Sequence, residues 1–518
     1  MSRQRVLAPV GILLLAFALR LIALQTRPVW YDEAFAVFLA EKDFAAIAAG
    51  TAADTMPPLY YTLLHFWMLL VGVSPFALRM LSVAISMLIV ALMYALGTRA
   101  LSSVAGLFAA LFAALAPLQI YHAQEMRMYA PLAFGSLLFL YGVLCGVDDR
   151  TLLCASADER GERKTSAPSA LLRARLVRVN PRPIILIALG TAIALYSHNL
   201  AFVTLLAANV YLAWRRDWYG LAKLSVAQFV GVLAFAPWLF YVPTQIAKIQ
   251  RAFWTQPPAL ADVLQMLVVF TAYLPLPSVI FAGALFVSIA VAVIAALEMT
   301  RWIRRCAPRS LGMLLTFVFV SPALAFALSY LMRPVFVPRG VIASSLVYYL
   351  LLAMLAARAP RVGRVLIVTL AGLIALSTLP FLYSAWGEWR RAPFVEANQF
   401  LCAQMQQGDL ILHDNKLSFF PMHYHDRALP QEFLADPPGS ANDTLARGSQ
   451  EAMGLFPIKF DQAIGGRSRV WLVIFQIALD QAAEDGRLHE NLSRMDAAMR
   501  RVQVTPFGDL RIFLYEHR

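Results

Sequence analysis

Two adjacent carboxylates, Asp32 and Glu33, follow two aromatic residues in the stretch PVWYDEAFA at 28–36, just after an apolar run. A carboxylate at such an edge can take a proton from a hydroxyl group. The plainer reading is a helix start, with Asp32 capping EAFAVFLAE. Further charged groups follow. Arg20 lies inside the first apolar run, where a cation is costly unless it snorkels or pairs with an acid. Glu125 and Arg127 interrupt the apolar passage YHAQEMRMYA at 121–130; a solvated loop with an internal ion pair would also explain them. Arg333 and Arg339 stand in RPVFVPRG, after the ninth apolar run. Tyr60, Tyr61 and His65 belong to PPLYYTLLHFW, and His198 follows Tyr196-Ser197; either histidine also reads as a satisfied structural residue. Together these groups suit a reaction with an anionic leaving group. A carboxylate would accept the incoming proton, and fixed guanidiniums would stabilise the growing negative charge.

The rest of the chain must bring them together. Of 518 residues, 60% are hydrophobic and 14% charged, and the mean hydropathy is +0.64. Soluble domains carry roughly 25% charged residues, so most of this chain reads as a polytopic membrane protein. The net charge of +13 sits in short clusters between apolar runs rather than in a basic stripe interleaved with aromatics, which excludes nucleic acid as a partner. Cys145, Cys154, Cys306 and Cys402 are scattered and lack metal-ligand spacing. The N-terminal run lacks a small-residue cleavage site and is read as a first span.

Apolar runs fall at 6–24, 77–98, 104–120, 131–147, 184–197, 199–214, 222–241, 277–298, 311–331, 341–357 and 365–384. They give about eleven spans. With the N-terminus in the cytoplasm, the clusters Arg3/Arg5, Arg99, 148–183, Arg215/Arg216/Lys223, 301–305 and 358–364 all face inward. That choice requires two short helices, not one long one, across 184–214, with a turn near His198. Residues 25–76 then lie outside as surface helices, with Trp67, Tyr60 and Tyr61 at headgroup level. From about residue 390 the chain turns polar, with short apolar runs DLILHD, RVWLVIF and RIFLYEH. The expected fold is mainly α: a membrane helical domain at 1–385, whose outer loop 25–76 carries the acidic pair, and a small α/β extracytoplasmic domain at 390–518. Its task would be to cover the outer cavity and help choose the acceptor. His413-Asp414 and HYHD at 423–426 have no further ligand at fixed spacing, so no metal site is assigned there.

Outside the cytoplasm there is no pool of nucleotide sugars, so an activated sugar must arrive on a lipid. The residues therefore point to glycosyl transfer from a polyprenyl phosphate. Here the chain resembles the GT-C polytopic glycosyltransferases, in particular the bacterial branch similar to protein O-mannosyltransferases and aminoarabinose transferases of lipid A. The resemblance rests on WYDEA at 30–34, PPLYY-LLH-W at 57–67, QE-RMYA at 124–130, YSH at 196–198, APW at 236–238 and PRG at 338–340. It covers roughly residues 1–385. It implies an inverting transfer of a hexosyl or pentosyl unit from a polyprenyl-phosphate carrier to a lipid, glycan or protein hydroxyl of the envelope, at the outer face of the bacterial cytoplasmic membrane. It also implies that Asp32, Glu33 and Glu125 are the site carboxylates, with Asp32 the base. Arg20, Arg127, Arg339, Tyr60, Tyr61, His65 and His198 would hold donor phosphate and substrate. No cofactor is assigned with certainty; a divalent cation, if present, would take Asp32 and Glu125 as ligands. Two positions depart from the branch: Met56 stands where it has His, and Gly340 follows Arg339 where it has Tyr.

Two other classes compete. A transporter or flippase of a lipid-linked sugar would place its charges near the midplane and show repeat symmetry; here the charges sit at span ends and no repeat is visible. A scaffold with an inert membrane part is the other.

Overall fold

The computed structural model describes residues 3–147, 181–251, 255–303, 309–385, 391–440 and 442–518. Most of the basic segment 148–183, part of the cluster at 301–305, Cys154, Cys306 and the side chains of Arg3 and Arg5 lie outside the described residues. The first part of the chain forms helices α1 (Arg3–Leu21), α2 (Tyr31–Ala40), α3 (Phe44–Ala53), α4 (Leu59–Val71), α5 (Pro75–Ala100), α6 (Ser103–Leu115), α7 (Pro117–Ala123) and α8 (Tyr129–Val147). Helices then run at Pro181–Ser197, Ala201–Trp214, Trp218–Leu239, Val242–Arg251, Leu260–Thr271, Ser278–Ile303, Arg309–Leu331, Ile342–Arg358 and Arg361–Ala385.

All eleven apolar runs are helical. Among the described residues, seven helices are long and apolar enough to cross a membrane, and an eighth if the bent pair α6–α7 counts as one span. The remaining three runs form shorter apolar helices, Leu7–Leu21, Pro181–Ser197 and Ala201–Trp214. The 60° bend has a local cause. Pro117 excludes the helical region for the residue before it, and Ala116 is extended at φ −60, ψ 114. The two short helices expected across 184–214 are present, with the break at His198, whose Nδ1 accepts from the Leu200 amide at 3.0 Å. The helix Ile342–Arg358 is buried along almost its whole length, so the other helices pack around it.

Glycines set the closest helix approach. A Cβ at Gly190 would lie 2.4 Å from the Phe139 amide nitrogen and 2.7 Å from the Gly135 carbonyl oxygen, both on α8. Residues 25–76 form α2–α4, as expected, but the placing of their aromatics needs correction. Tyr60 and Tyr61 are 1% and 2% exposed rather than at headgroup level. Tyr60 shares a hydrogen bond with Ser82 at 3.2 Å, and Tyr61 packs edge-on to Phe35. They are buried by packing against α5 and α2, and a second layer of chain lies over α2.

That layer carries a five-stranded sheet of order β2-β1-β3-β5-β4, made of β1 (Leu410–His413), β2 (Gln431–Phe433), β3 (Arg469–Phe475), β4 (Arg500–Phe507) and β5 (Leu510–Glu516). β1 lies parallel between β2 and β3, and β5 runs antiparallel to β3 and β4. The three apolar runs read from sequence are β1, β3 and β5. The sheet-bearing region docks through the helix Lys416–His425, whose Phe420 ring meets Tyr31 at 5.1 Å and Phe38 at 5.6 Å. A second contact places the Ser449 hydroxyl on the Gly50 carbonyl at 2.9 Å.

Because backbone atoms cannot yield to a new methyl group, Gly190→Ala is expected to destabilise the helical bundle by about 1–3 kcal/mol. Thermal unfolding in detergent should show a lowered midpoint, whereas Gly11→Ala, with open space around it, should leave the midpoint in place.

Candidate active site

Asp32 and Glu33 occupy the first turn of α2, where the helix dipole favours acids. Consecutive helical side chains do not face the same way, so the two carboxylates enter different surroundings. Glu33 points inward and is fully buried. Arg79 grips it with Nε at 3.1 Å and Nη2 at 2.9 Å, and Arg391 donates from Nη1 at 2.7 Å. The Met126 amide adds a bond at 3.2 Å. Burial alone would raise the Glu33 pKa, but Arg79 and Arg391 outweigh it and hold the carboxyl well below its usual range.

Glu125 belongs to the same buried network. Arg391 donates to its Oε1 at 3.2 Å, Arg27 stands 3.6 Å from that oxygen, and His122 Nδ1 lies 3.0 Å from Oε2. Burial again opposes ionisation; His122, Arg27 and Arg391 prevail and bring the pKa down to about 2. Arg79 also donates to the carbonyls of Leu24 and Arg27, and Arg391 to that of Pro28, so the turn between α1 and α2 is fixed by the same guanidiniums.

Asp32 faces a cavity of about 550 Å³ instead. Its side chain keeps 27% of its exposure and pairs with Arg127 Nη2 at 3.3 Å. Burial raises its pKa, and the lowering pull of Arg127 and Arg339 does not cancel that rise. Asp54, Lys248, His198 and Arg339 complete the polar end of the cavity, with Lys248 and Asp54 paired at 2.8 Å. Burial, then the charges of Arg339 and Arg127, push His198 down to about 3, so its ring is neutral at physiological pH. The rest of the wall is apolar, including Phe35, Phe202, Phe235, Leu239 and Ile246.

Of the residues singled out in the sequence, Asp32, Arg127, Arg339 and His198 therefore meet on one cavity. Glu33 and Glu125 lie behind it. Glu125 is close enough for its charge to act on Asp32. Tyr60 and Tyr61 pack behind α2. Two expectations need correction. Arg20 does not pair with an acid of the cavity: it is buried in the helical bundle, bonded to Ser86 at 2.8 Å and to the carbonyls of Ala16, Ala113 and Ala114. His65 lies apart too, its Nδ1 2.7 Å from the Ala40 carbonyl oxygen and its ring among Phe44 and Phe66. The Glu125–Arg127 loop pair is replaced by Arg127 with Asp32 and Glu125 with Arg27 and Arg391. Of the two departures from the resembled branch, Met56 lines the cavity, and a Cβ at Gly340 would meet Leu200 Cδ1 at 2.8 Å.

A divalent cation between Asp32 and Glu125 does not fit this donor set. Both Glu125 oxygens already face cationic or imidazole partners, and Asp32 faces Arg127. Among the described residues no three His, Cys, Asp or Glu side chains converge.

Sequence reading missed Arg27, Arg79, Arg391 and Lys248. An arginine inside an apolar run was the available signal for Arg79, which stands at the start of the second one. Arg391 gave no such signal, since it follows the last span in a stretch that reads as surface.

A family model described as dolichyl-phosphate-mannose-protein mannosyltransferase matches residues 55–156. The chain is similar in structure to ArnT from Cupriavidus metallidurans. To the apo state the TM-score is 0.62 at 11% identity, and to the form bound to undecaprenyl phosphate it is 0.63 at 12%; in both, 98% of this chain and 97% of the other are covered. The apo oligosaccharyltransferase of Archaeoglobus fulgidus gives a TM-score of 0.51 at 12% identity, covering 100% of this chain and 75% of that one. No curated protein matches the chain by sequence. The fold is thus the polytopic GT-C fold that the sequence resemblance implied.

Arg391→Met would leave Glu33 and Glu125 short of a buried partner, a loss expected to cost about 3–5 kcal/mol. Arg487→Ala, which breaks an exposed pair with Asp485, should cost under about 1 kcal/mol. Comparing the two melting midpoints checks the contrast.

Proposed function

We propose that this chain is an inverting glycosyltransferase. It moves a hexosyl or pentosyl unit from a polyprenyl-phosphate carrier to an acceptor hydroxyl of the envelope, at the outer face of the bacterial cytoplasmic membrane. The acceptor is a lipid, a glycan or a protein. Residues 1–385 form the catalytic membrane domain and residues 390–518 a small extracytoplasmic one, with the N-terminus in the cytoplasm. The observation that carries the reading is the cavity whose lining joins two carboxylates, Asp32 and Asp54, and three cations, Arg127, Arg339 and Lys248, to a largely apolar wall.

The apolar wall suits an isoprenoid chain, and Arg127, Arg339 and Lys248 suit its phosphate. Asp32 accepts the proton of the acceptor hydroxyl as that oxygen attacks the anomeric carbon. The bond from that carbon to the phosphate oxygen breaks, and the departing phosphate takes the electron pair beside the guanidiniums. A single displacement from the opposite face inverts the anomeric centre. Glu33 and Glu125 act through position: each is one or two residues from a cavity group, Asp32 or Arg127, and each is locked in the buried network. A solvated His198 would add positive charge near the phosphate; the buried, neutral ring offers a hydrogen bond instead.

The test is transfer from radiolabelled polyprenyl-phosphate sugars to an envelope extract by the purified chain in nanodiscs. Asp32→Asn should lower the rate by about 10²–10⁴-fold with folding intact. The base must be ionised, and burial raises the Asp32 pKa, so transfer should fall with decreasing pH at a higher pH than an ordinary aspartate would dictate. Native rates in Asp32→Asn would contradict its assignment as base.

A further inference from the structure

A lysine is almost never fully buried unless it is paired, and the first turn of a helix is the part least suited to a cation. Lys416 is 1% exposed and opens the helix Lys416–His425. Its Nζ bonds to the Asp436 carboxylate and to the Asn442 carbonyl, and stands 5.8 Å from the centre of the Tyr31 ring. A buried ion pair adds little net stability over apolar groups of the same shape, so its effect lies in what it joins. Here it ties Asp436 and Asn442 to the helix that docks on α2.

The chain around these two residues is held further. The Ser440 amide donates to the Pro437 carbonyl at 3.0 Å, across a turn in which Gly439 takes a φ of +77, a region that favours glycine. Asp443 accepts from the Gly439 amide at 3.0 Å. The Asn442 carbonyl held by Lys416 also accepts from the Thr444 amide at 2.7 Å, so one oxygen links Lys416 to Thr444. Just beyond, the helix Arg447–Met453 presses on α3: a Cβ at Gly448 would lie 2.7 Å from Ala53 Cβ.

At Thr444 this stretch reaches the cavity of Asp32. Of the cavity's lining residues, Thr444 alone comes from the sheet-bearing region. The carboxylates of the polar end are already engaged, Asp32 with Arg127 and Asp54 with Lys248. The Asn199 amide is spent on Thr55 and Gln245. Thr444 brings a neutral hydroxyl that donates to the Asn442 carbonyl at 3.3 Å and whose oxygen keeps its own accepting capacity. A phosphate calls for cations, whereas sugar hydroxyls are sorted by a few placed uncharged groups of this kind.

We propose that Thr444 contacts the sugar carried by the lipid donor, its oxygen accepting a hydrogen bond from a sugar hydroxyl, and that Lys416 is the positioning residue that holds it there. The inference rests on the glycosyl-transfer reading and names a specificity-determining residue for it. Phosphate and isoprenoid chain stay with the membrane helices and their loops, and the sheet-bearing region contributes to the choice of sugar. Asp32 keeps its role as base.

The test measures binding of three lipids to the full chain in nanodiscs by native mass spectrometry: a polyprenyl phosphate carrying a hexose, one carrying a pentose, and the bare polyprenyl phosphate. The native chain should bind at least one sugar-bearing lipid more tightly than the bare one. Thr444→Val removes the hydroxyl and keeps the shape; it should weaken that lipid about three- to tenfold and leave the bare one unchanged. Lys416→Met should reproduce this sugar-specific loss, whereas a purely structural role would weaken all three lipids alike. Should Lys416→Met fail to fold, Thr444→Val, at a half-buried loop residue, decides by the same comparison. No sugar-dependent binding in the native chain, or no sugar-specific loss in Thr444→Val, overturns the proposal. A raised acceptor KM with unchanged donor binding overturns it too, by moving Thr444 to the acceptor. Binding as expected without transfer from either donor would end the glycosyl-transfer reading and leave the sugar contact. Transfer with an unchanged preference between hexose and pentose in Thr444→Val would end the assignment of Thr444 and leave the reaction.

Discussion

Two carboxylates, Glu33 and Glu125, share three guanidiniums, from Arg27, Arg79 and Arg391, in a region closed to water. Removing such charges from water is costly, and each one tolerates burial only while its partners stay in place. The partners come from the turn before α2, from α5, from the loop before α8 and from the stretch after the last long helix. One electrostatic requirement therefore fixes four segments that are remote in sequence. Arg391 joins the start of the sheet-bearing region to the turn that presents Asp32. The network adds little net stability over an apolar core of the same shape, so its contribution lies in geometry.

That geometry separates two neighbouring acids into opposite states. Glu33 meets two arginines and stays ionised, whereas Asp32 meets one at 3.3 Å and a partly closed cavity that favours its neutral form. A base needs some readiness to accept a proton, and a structural anchor needs none. On the proposed reading, the difference between the two roles follows from which way α2 faces at each residue.

Much of this was legible in the sequence, for reasons that are local. Apolar runs of spanning length give helices wherever they occur, and the turn at His198 followed from the sign and placement of charge. Asp32 and Arg127 stood out because polar groups in apolar surroundings need partners. The identity of those partners was not local. Arg127 reaches Asp32 rather than Glu125, two residues away, because Glu125 is claimed by Arg391 from 266 residues further along. Strands β2 and β4 escaped for a different reason. One has three residues, and the other is an exposed, largely polar edge strand containing Pro506, which lacks the apolar run that marked β1, β3 and β5. Arg20 misled because, apart from the Ser86 hydroxyl, its acceptors are backbone carbonyls of α1 and α6, which no side-chain pattern reveals.

The network's hold on the site is tested most directly by a double-mutant cycle between Glu33→Gln and Arg391→Gln, read as unfolding free energy. A coupling of about 0.5–3 kcal/mol is expected, the double variant recovering part of the stability that each single variant loses. Losses that simply add would show that the two side chains do not depend on each other, and would contradict it.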